Sequence, residues 1–312
     1  MNKFQNILYV SHGLGDESDA LKQALSLSRN NKAVLKILIT GPRLPDSLGD
    51  YRKINEDALV RQLEESIKAA RTALKMDEEA EDIAIEVESG EMPGIRIIRR
   101  VLRDAHDLVV KEAEPREGGK GFKAIDMELL RKCPCPVWLC RPIEHSRTEM
   151  RIAVAIDPES EEKAGYDLAL RLLQTARFLA DTCSGRLDII SCWNFEYEEY
   201  LRHNPWAKVP ENQIAGAVVS AKSRNFRELD TLIKKSGIDG DVQSHHVKGR
   251  PEELIPSFVK NEKIDILVMG TVARTGIAGF TMGNTAENIL QKLECSLLAM
   301  KPNGFVSPVK AY

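Results

Sequence analysis

Apolar residues in this chain recur in two rhythms that alternate along its length. Short, nearly solid apolar runs read as strands buried on both faces. Longer stretches with apolar positions three and four apart read as helices with one buried stripe. The first run, Asn6–Ser11 (NILYVS), predicts a strand that leads into a helix over Ser18–Arg29. A second strand follows at Val34–Thr40 (VLKILIT), then a long helix over Asn55–Lys75. A third strand ends in Gly90, Pro93 starts another helix, and further strands fall at His106–Lys111 (HDLVVK) and Pro136–Pro142 (PVWLCRP).

The same order then repeats. Strands are predicted at Arg151–Ile156 (RIAVAI), Arg186–Trp193 (RLDIISCW), up to Gly249, at Ile264–Gly270 (IDILVMG) and at Ser296–Pro302 (SLLAMKP). Between them lie helices over Gly165–Thr182, with Leu168, Leu172, Ala176 and Leu179 on one face, over Asn212–Lys235, and from Pro251. Lys132 aligns with Lys292, Cys135 with Cys295 and Pro142 with Pro302, an offset of about 160 residues.

Strands alternating with helices imply βαβ units and right-handed crossovers. The expected class is α/β: two tandem Rossmann-like domains, each an open five-stranded parallel sheet with helices on both faces. The polar stretch Ile143–Met150 sets the boundary, giving domains over 1–143 and 150–312. Each half ends in an apolar strand that would otherwise be an exposed edge. The two final strands are therefore expected to pair antiparallel within the chain, as an intrachain pseudo-dimer; a homodimer is left open.

Composition narrows the partners. The chain has 312 residues and a formal net charge of −3, which argues against nucleic acid held through bulk positive charge. The N-terminal apolar run is too short for a signal peptide, and no run approaches the ~18 residues of a membrane span. A cytoplasmic protein without a membrane partner is expected. The six cysteines are few for the length and sit in or beside apolar runs, so buried thiols are expected rather than a disulfide framework. Cys133 and Cys135 form C-x-C, but further zinc ligands are lacking nearby, and no metal is expected.

Candidate chemistry lies beyond the carboxyl ends of the strands, where open parallel sheets bind ligands. After the fourth strand of the second half, Gly270, Gly276, Gly279 and Gly283 precede Asn284 and Thr285, which open a helix carrying Ile289, Leu290 and Leu293. Such a loop lets backbone N–H groups approach an anion, and the helix start adds attraction. Equally, Asn284 reads as an ordinary N-cap with Glu287 completing a capping-box-like pair.

The element order and this loop resemble the universal stress protein family. Its nucleotide-binding members carry Gly-x2-Gly-x9-Gly-Ser/Thr after the fourth strand. Here Gly270, Ala273 and Gly283-Asn284 fill that frame, with Ala273 at the second glycine and Asn284 at Ser/Thr. GTVARTG (Gly270–Gly276), LLRKCPCPVW (Leu129–Trp138) and GRPEELIP (Gly249–Pro256) are similar to the tandem E-type form. The resemblance implies a stress-response protein whose second half binds ATP or another adenine nucleotide. It implies that Asp157 in VAIDP contacts the adenine side, with backbone near Cys192, Met269 and Gly270, and phosphates near Gly283, Asn284 and Thr285. Other stress proteins enter as partners. A turn role for Asp157 beside Pro158 stays open, as does a scaffold holding no nucleotide or an apolar molecule.

The first half departs from the pattern. Its first strand ends in Ser11-His12-Gly13, and Lys111-Glu112-Ala113-Glu114-Pro115 follows its fourth. Gly118, Gly119 and Gly121 have other spacing and acidic neighbours, so this half reads as a degenerate copy with a structural or regulatory role. His12 and His106 read as satisfied polar groups, and His245-His246 in a strand point to opposite faces. The aromatic stretch Trp193–Trp206 reads either as a lid or as packing. No nucleophile–base–orienter set is present in the sequence, so an enzyme is not expected.

Overall fold

In the computed structural model, residues 3–13, 17–76, 82–114, 118–160, 162–204, 206, 208–271 and 282–312 are described. The chain divides into two compact units, one of Met1–Glu144 with Cys295–Tyr312, the other of His145–Glu294.

The first unit holds strands β1 (Asn6–Ser11), β2 (Val34–Gly41), β3 (Ile85–Ser89), β4 (Leu108–Glu112) and β5 (Val137–Cys140). Helices α1 (Ser18–Asn31), α2 (Gly49–Ala73), α3 (Pro93–Asp104) and α4 (Ala124–Lys132) connect them. The strand order is β3-β2-β1-β4-β5, all parallel. The order reverses between β1 and β4, which opens a crevice at their carboxyl ends. Every residue of β1 after Asn6 is buried, as is all of β5, which accounts for the solid apolar runs.

The second unit contains β6 (Arg151–Ala155), β7 (Arg186–Trp193), β8 (Val242–Lys248) and β9 (Ile266–Gly270), ordered β9-β6-β7-β8 and parallel. Its helices are α5 (Lys163–Cys183), α6 (Glu198–His203), α7 (Glu211–Ser236), α8 (Pro251–Asn261) and α9 (Asn284–Leu290). The reversal here lies between β6 and β9. Leu168, Leu172, Ala176 and Leu179 of α5 are all buried, as their spacing predicts. At roughly 1.5–3 kcal/mol for each large apolar side chain removed from water, this stripe fixes α5 on its sheet. Helices pack in the pairs α1–α2, α3–α4, α5–α7 and α8–α9, so that helices cover both faces of the sheets.

The last strand, β10 (Ser296–Met300), belongs with the first unit. It runs antiparallel to β5, with Leu297 opposite Leu139, Leu298 opposite Trp138 and Ala299 opposite Val137. The expected pairing of the two final strands is thus present. Ser296 Oγ accepts from the Arg141 backbone N–H at 2.9 Å and locks the end of the pair. The predicted helices are found with shifted ends: α2 begins at Gly49 rather than Asn55, because its first turns, Tyr51 and Ile54 included, are exposed and show no buried stripe, while α9 ends at Leu290 and leaves Leu293 outside it.

Candidate functional site

The two crevices differ in what their own side chains place at the strand ends. In the first unit, Lys111 on β4 and Asp126 on α4 both have fully buried side chains and meet at 2.9 Å. The Lys111 ammonium also donates to the Glu112 carbonyl at 2.8 Å and to Glu114 Oε1 at 2.9 Å. His12 Nε2 lies 2.7 Å from Glu114 Oε1, and the Glu114 backbone N–H donates to Asp126 Oδ2 at 2.8 Å. The hydrogen bond from His12 and the Lys111 ammonium, working against burial, hold the Glu114 carboxyl at about 2. Burial outweighs Lys111 at Asp126 and pushes that carboxyl up. On the other side of the crevice, Glu17 accepts from the His12 N–H at 2.8 Å and from the Tyr9 hydroxyl at 3.1 Å.

The glycines of this first loop serve the opposite of anion binding. Gly118, Gly119 and Gly121 all have positive φ. The carbonyls of Gly119 and Gly121 accept from the Arg141 guanidinium, which lies 5.2 Å from the Phe122 ring centroid. The loop presents acceptors to a cation, and an internal carboxylate, Glu114, sits where an anion would otherwise meet Lys111. The first half is filled by its own charges.

The second crevice is built differently. Val154 on β6 lies opposite Val268 on β9, so Asp157 and Thr271 each follow three residues beyond that pair. Asp157 is exposed, and its Oδ1 accepts from the Glu159 N–H at 3.2 Å, closing a turn over buried Pro158. Met269 is buried. At Gly270 an added Cβ would stand 3.0 Å from Leu168 Cδ2, so glycine here lets α5 pack close to β9. Thr271 is buried, and its hydroxyl has no hydrogen-bond partner among the described residues. The Gly283 N–H donates to the Thr271 carbonyl at 3.2 Å, which ties the two ends of the loop together.

The expectation of an Asn284 cap at the far end of that loop is corrected. Gly283, not Asn284, is the N-cap of α9, with φ −72° and ψ 143°. Its φ is one that any residue adopts, so glycine at 283 is not required by a left-handed backbone, and Asn284 makes no side-chain cap. Asn284 and Thr285 occupy the first turn of α9 and are exposed. Ala273, with Gly276 and Gly279, lies outside the described residues.

Cys192, at the end of β7, is half-buried, and burial together with nearby Glu252 pushes its thiol up to about 11. Beside it, Trp193 stacks on His246 with ring centroids 5.8 Å apart. His246 bonds Asn225 at 2.9 Å while His245 bonds Asp188 at 2.8 Å, so the neighbouring rings face opposite ways, as a strand requires. In the Trp193–Trp206 stretch, α6 is tied down by Glu198, whose carboxylate meets Lys248 at 2.6 Å, and Trp206 is 90% exposed. Among the described residues, no group of three or more His, Cys, Asp or Glu is arranged to hold a metal ion. No helix among them is long and apolar enough to cross a membrane.

Comparison with known proteins gives these two crevices a family. The universal stress protein family matches twice, over residues 3–141 and again over 150–301. The chain belongs to the universal stress protein family. It is a tandem, E-type member, similar along its whole length to universal stress protein E of Photorhabdus laumondii. The identity is 27% over 321 aligned positions, covering 100% of this chain and 99% of that one. Universal stress protein E of Escherichia coli K12 is 28% identical over 99% of this chain and 98% of its own. Among solved structures, a universal stress protein from Archaeoglobus fulgidus shares the fold with a TM-score of 0.61 at 17% identity, covering 96% of this chain and 99% of that one. A Pseudomonas aeruginosa chain of the same kind gives 0.71 at 23% identity, covering 97% and 95%.

Within this stress protein, Asp157 follows β6, Cys192 lies near the end of β7, Met269 and Gly270 end β9, and Gly283 to Thr285 stand at the start of α9. Thr271 was not singled out by the sequence. Its signal was its place, directly after a glycine that ends the fourth strand. The Lys111–Asp126 pair was also missed, because Lys111 stands in an apolar run and Asp126 opens an amphipathic helix. Neither position looks buried from sequence.

Proposed function

We propose that this universal stress protein is a binding protein, not an enzyme, whose second repeat holds ATP or a related adenine nucleotide. The observation that carries the reading is the contrast between the crevices. At the β1/β4 reversal, Glu114 supplies the negative charge and Lys111 is already engaged. At the β6/β9 reversal, Asp157 stands exposed, and the Thr271 hydroxyl is buried without a partner among the described residues. An unpaired buried hydroxyl is destabilising by roughly 1–3 kcal/mol, which a ligand able to hydrogen-bond it would recover. Asp157, an exposed carboxylate just beyond β6, would face the adenosine. The phosphates would lie toward Gly283, Asn284 and Thr285, with Ala273 in the intervening loop and the ends of β7 and β9, at Cys192, Met269 and Gly270, as the walls. Residues 150–312 are then the binding half and 1–143 the degenerate one.

Mass spectrometry of the small molecules released from natively purified, full-length protein tests this directly, with calorimetry of ATP and AMP on the stripped chain. The full chain is needed because β10 pairs with β5. One adenine nucleotide per chain is expected, with Asp157→Ala weakening it about tenfold, or roughly 1.4 kcal/mol. Absence of both released and added nucleotide, or full affinity in Asp157→Ala, refutes the reading.

A further inference from the structure

A second chemical cluster lies at the other end of the β5–β10 pair and plays no part in either crevice. Cys133 and Cys135 flank Pro134 just before β5. Cys133 is extended, with φ −67° and ψ 131°, so positions two apart project to the same side. Their sulfurs touch at 3.6 Å, and both are free thiols. Immediately after β10 stands Lys301, only 5% exposed, with its ammonium 5.0 Å from the Phe305 ring centroid. The C-terminal tail closes the cluster: Ser307 Oγ donates to the Lys132 carbonyl at 2.7 Å.

Burial works against the Lys301 ammonium and pushes its pKa down, while the Cys133 and Cys135 sulfurs draw it back up. Burial opposes ionisation of Cys133, but the hydrogen bond with Cys135 and the Lys301 charge bring its thiol below the ordinary value. That same hydrogen bond, together with burial, drives Cys135 well up, and Asp107 adds to this. Of the two thiols, Cys133 is thus the one whose ionisation this site favours, and the Lys301 charge contributes to that. Cys140, at the end of β5, is a contrast: it is buried, and burial pushes its thiol well up.

We propose that Cys133 and Cys135 form a redox-active dithiol that a hydroperoxide converts reversibly to a disulfide. The Cys133 thiolate attacks the peroxide oxygen; the O–O bond breaks, and the leaving hydroxide takes a proton to become water. Cys133 is then a sulfenic acid. The Cys135 sulfur attacks it, the S–O bond breaks, and the second oxygen leaves as water with the Cys135 proton. Two thiols and one hydrogen peroxide give one disulfide and two waters. The sulfurs need close only from 3.6 Å to about 2.05 Å, a movement that side-chain rotation supplies. Cys135 keeps 8% of its surface at solvent and Cys133 none, so a water-sized oxidant enters from the Cys135 side. A dithiol reductant restores the pair by thiol–disulfide exchange.

The test uses the full-length protein treated with graded hydrogen peroxide, quenched in acid, alkylated under denaturing conditions and mapped by peptide mass. The expected product is a peptide spanning Cys133 and Cys135 that has lost two hydrogens, resists alkylation and is recovered by dithiothreitol. Cys135→Ser should stall at a sulfenic acid on Cys133 that dimedone labels, while Cys140→Ser should behave as the wild type. Lys301→Met should slow the reaction about tenfold, with Lys301→Arg close to the wild type. Full alkylation of Cys133 and Cys135 after peroxide, or a disulfide that joins other cysteines, overturns the proposal. An unchanged rate in Lys301→Met removes the lysine from it.

Discussion

Lys111→Met probes the charge network that fills the first crevice. Methionine retains an unbranched stem but deletes an ammonium that holds three oxygens within 2.9 Å. Asp126, which has no solvent access, would keep its hydrogen bond from the Glu114 N–H but lose its ion pair. Removing one partner of a buried ion pair typically destabilises by about 3–5 kcal/mol. Protonation of Asp126 limits the loss to the lower end, about 3 kcal/mol, since burial already pushes its carboxyl up. It also gives the loss a sign in pH. A carboxyl whose folded-state pKa exceeds its unfolded value destabilises the fold above that folded pKa, and the deficit vanishes as pH falls through the unfolded value. The variant should therefore recover part of its stability as the solution is acidified from neutral pH. Native-state amide exchange on peptides spanning β1 and β4 reads the change locally, which matters because a chain of two compact units need not unfold in one step. Lys111→Met with Asp126→Asn removes both charges and should return to within about 1 kcal/mol of the wild type. A loss below about 1 kcal/mol in the single variant, or no recovery in the double, would refute the reading of this crevice as a self-neutralised ion site.

Glu114→Gln tests the same network from its exposed side. The carboxyl is held at about 2 rather than its usual 4.5, so its stabilisation is present above 4.5 and lost as pH falls through 2. With screening of the quarter of the side chain at solvent, this amounts to about 2 kcal/mol. Melting curves should show that deficit at neutral pH and its disappearance in acid; a deficit independent of pH would count against it. Gly185→Ala should destabilise by about 1–3 kcal/mol in thermal melts, because a Cβ there would run into the Met150 carbonyl, which is backbone and cannot yield. Unchanged melting would show that β6 shifts to accommodate it.

The repeat and nearly all elements could be read from sequence because βαβ units carry their own signals. Solid apolar runs such as NILYVS are buried on both faces, and Pro93 and Pro251 mark the helix starts they occupy. What failed depended on partners remote in sequence. The ion pair Lys111–Asp126 joins a strand to a helix across a loop, and polar letters in an apolar run give no hint that each neutralises the other. The cap of α9 was placed on Asn284 because asparagine is the stronger capping residue. The backbone turns one residue earlier, where the Gly283 N–H ties to Thr271 across the loop, a contact that no local pattern encodes. Asp157, Cys192, Met269 and Gly270, implied by family resemblance, fall at or just beyond strand ends, where topology alone fixes that a crevice opens.

The pairing of β10 with β5 has a consequence for how the protein is made. Arg141 and Ser296 are bonded across 155 residues. At synthesis rates of about 5–20 residues per second, β5 waits roughly 8–30 s for the strand that covers its edge. During that interval the first repeat can fold its five parallel strands, yet Val137 to Cys140 present an apolar, unpaired border to every other nascent chain. Exposed edges of this kind recruit strands from wherever they are offered. Translation that stalls or terminates before Ser296 would leave that border permanently uncovered, so truncated products should aggregate or be held by chaperones even though the first repeat is complete.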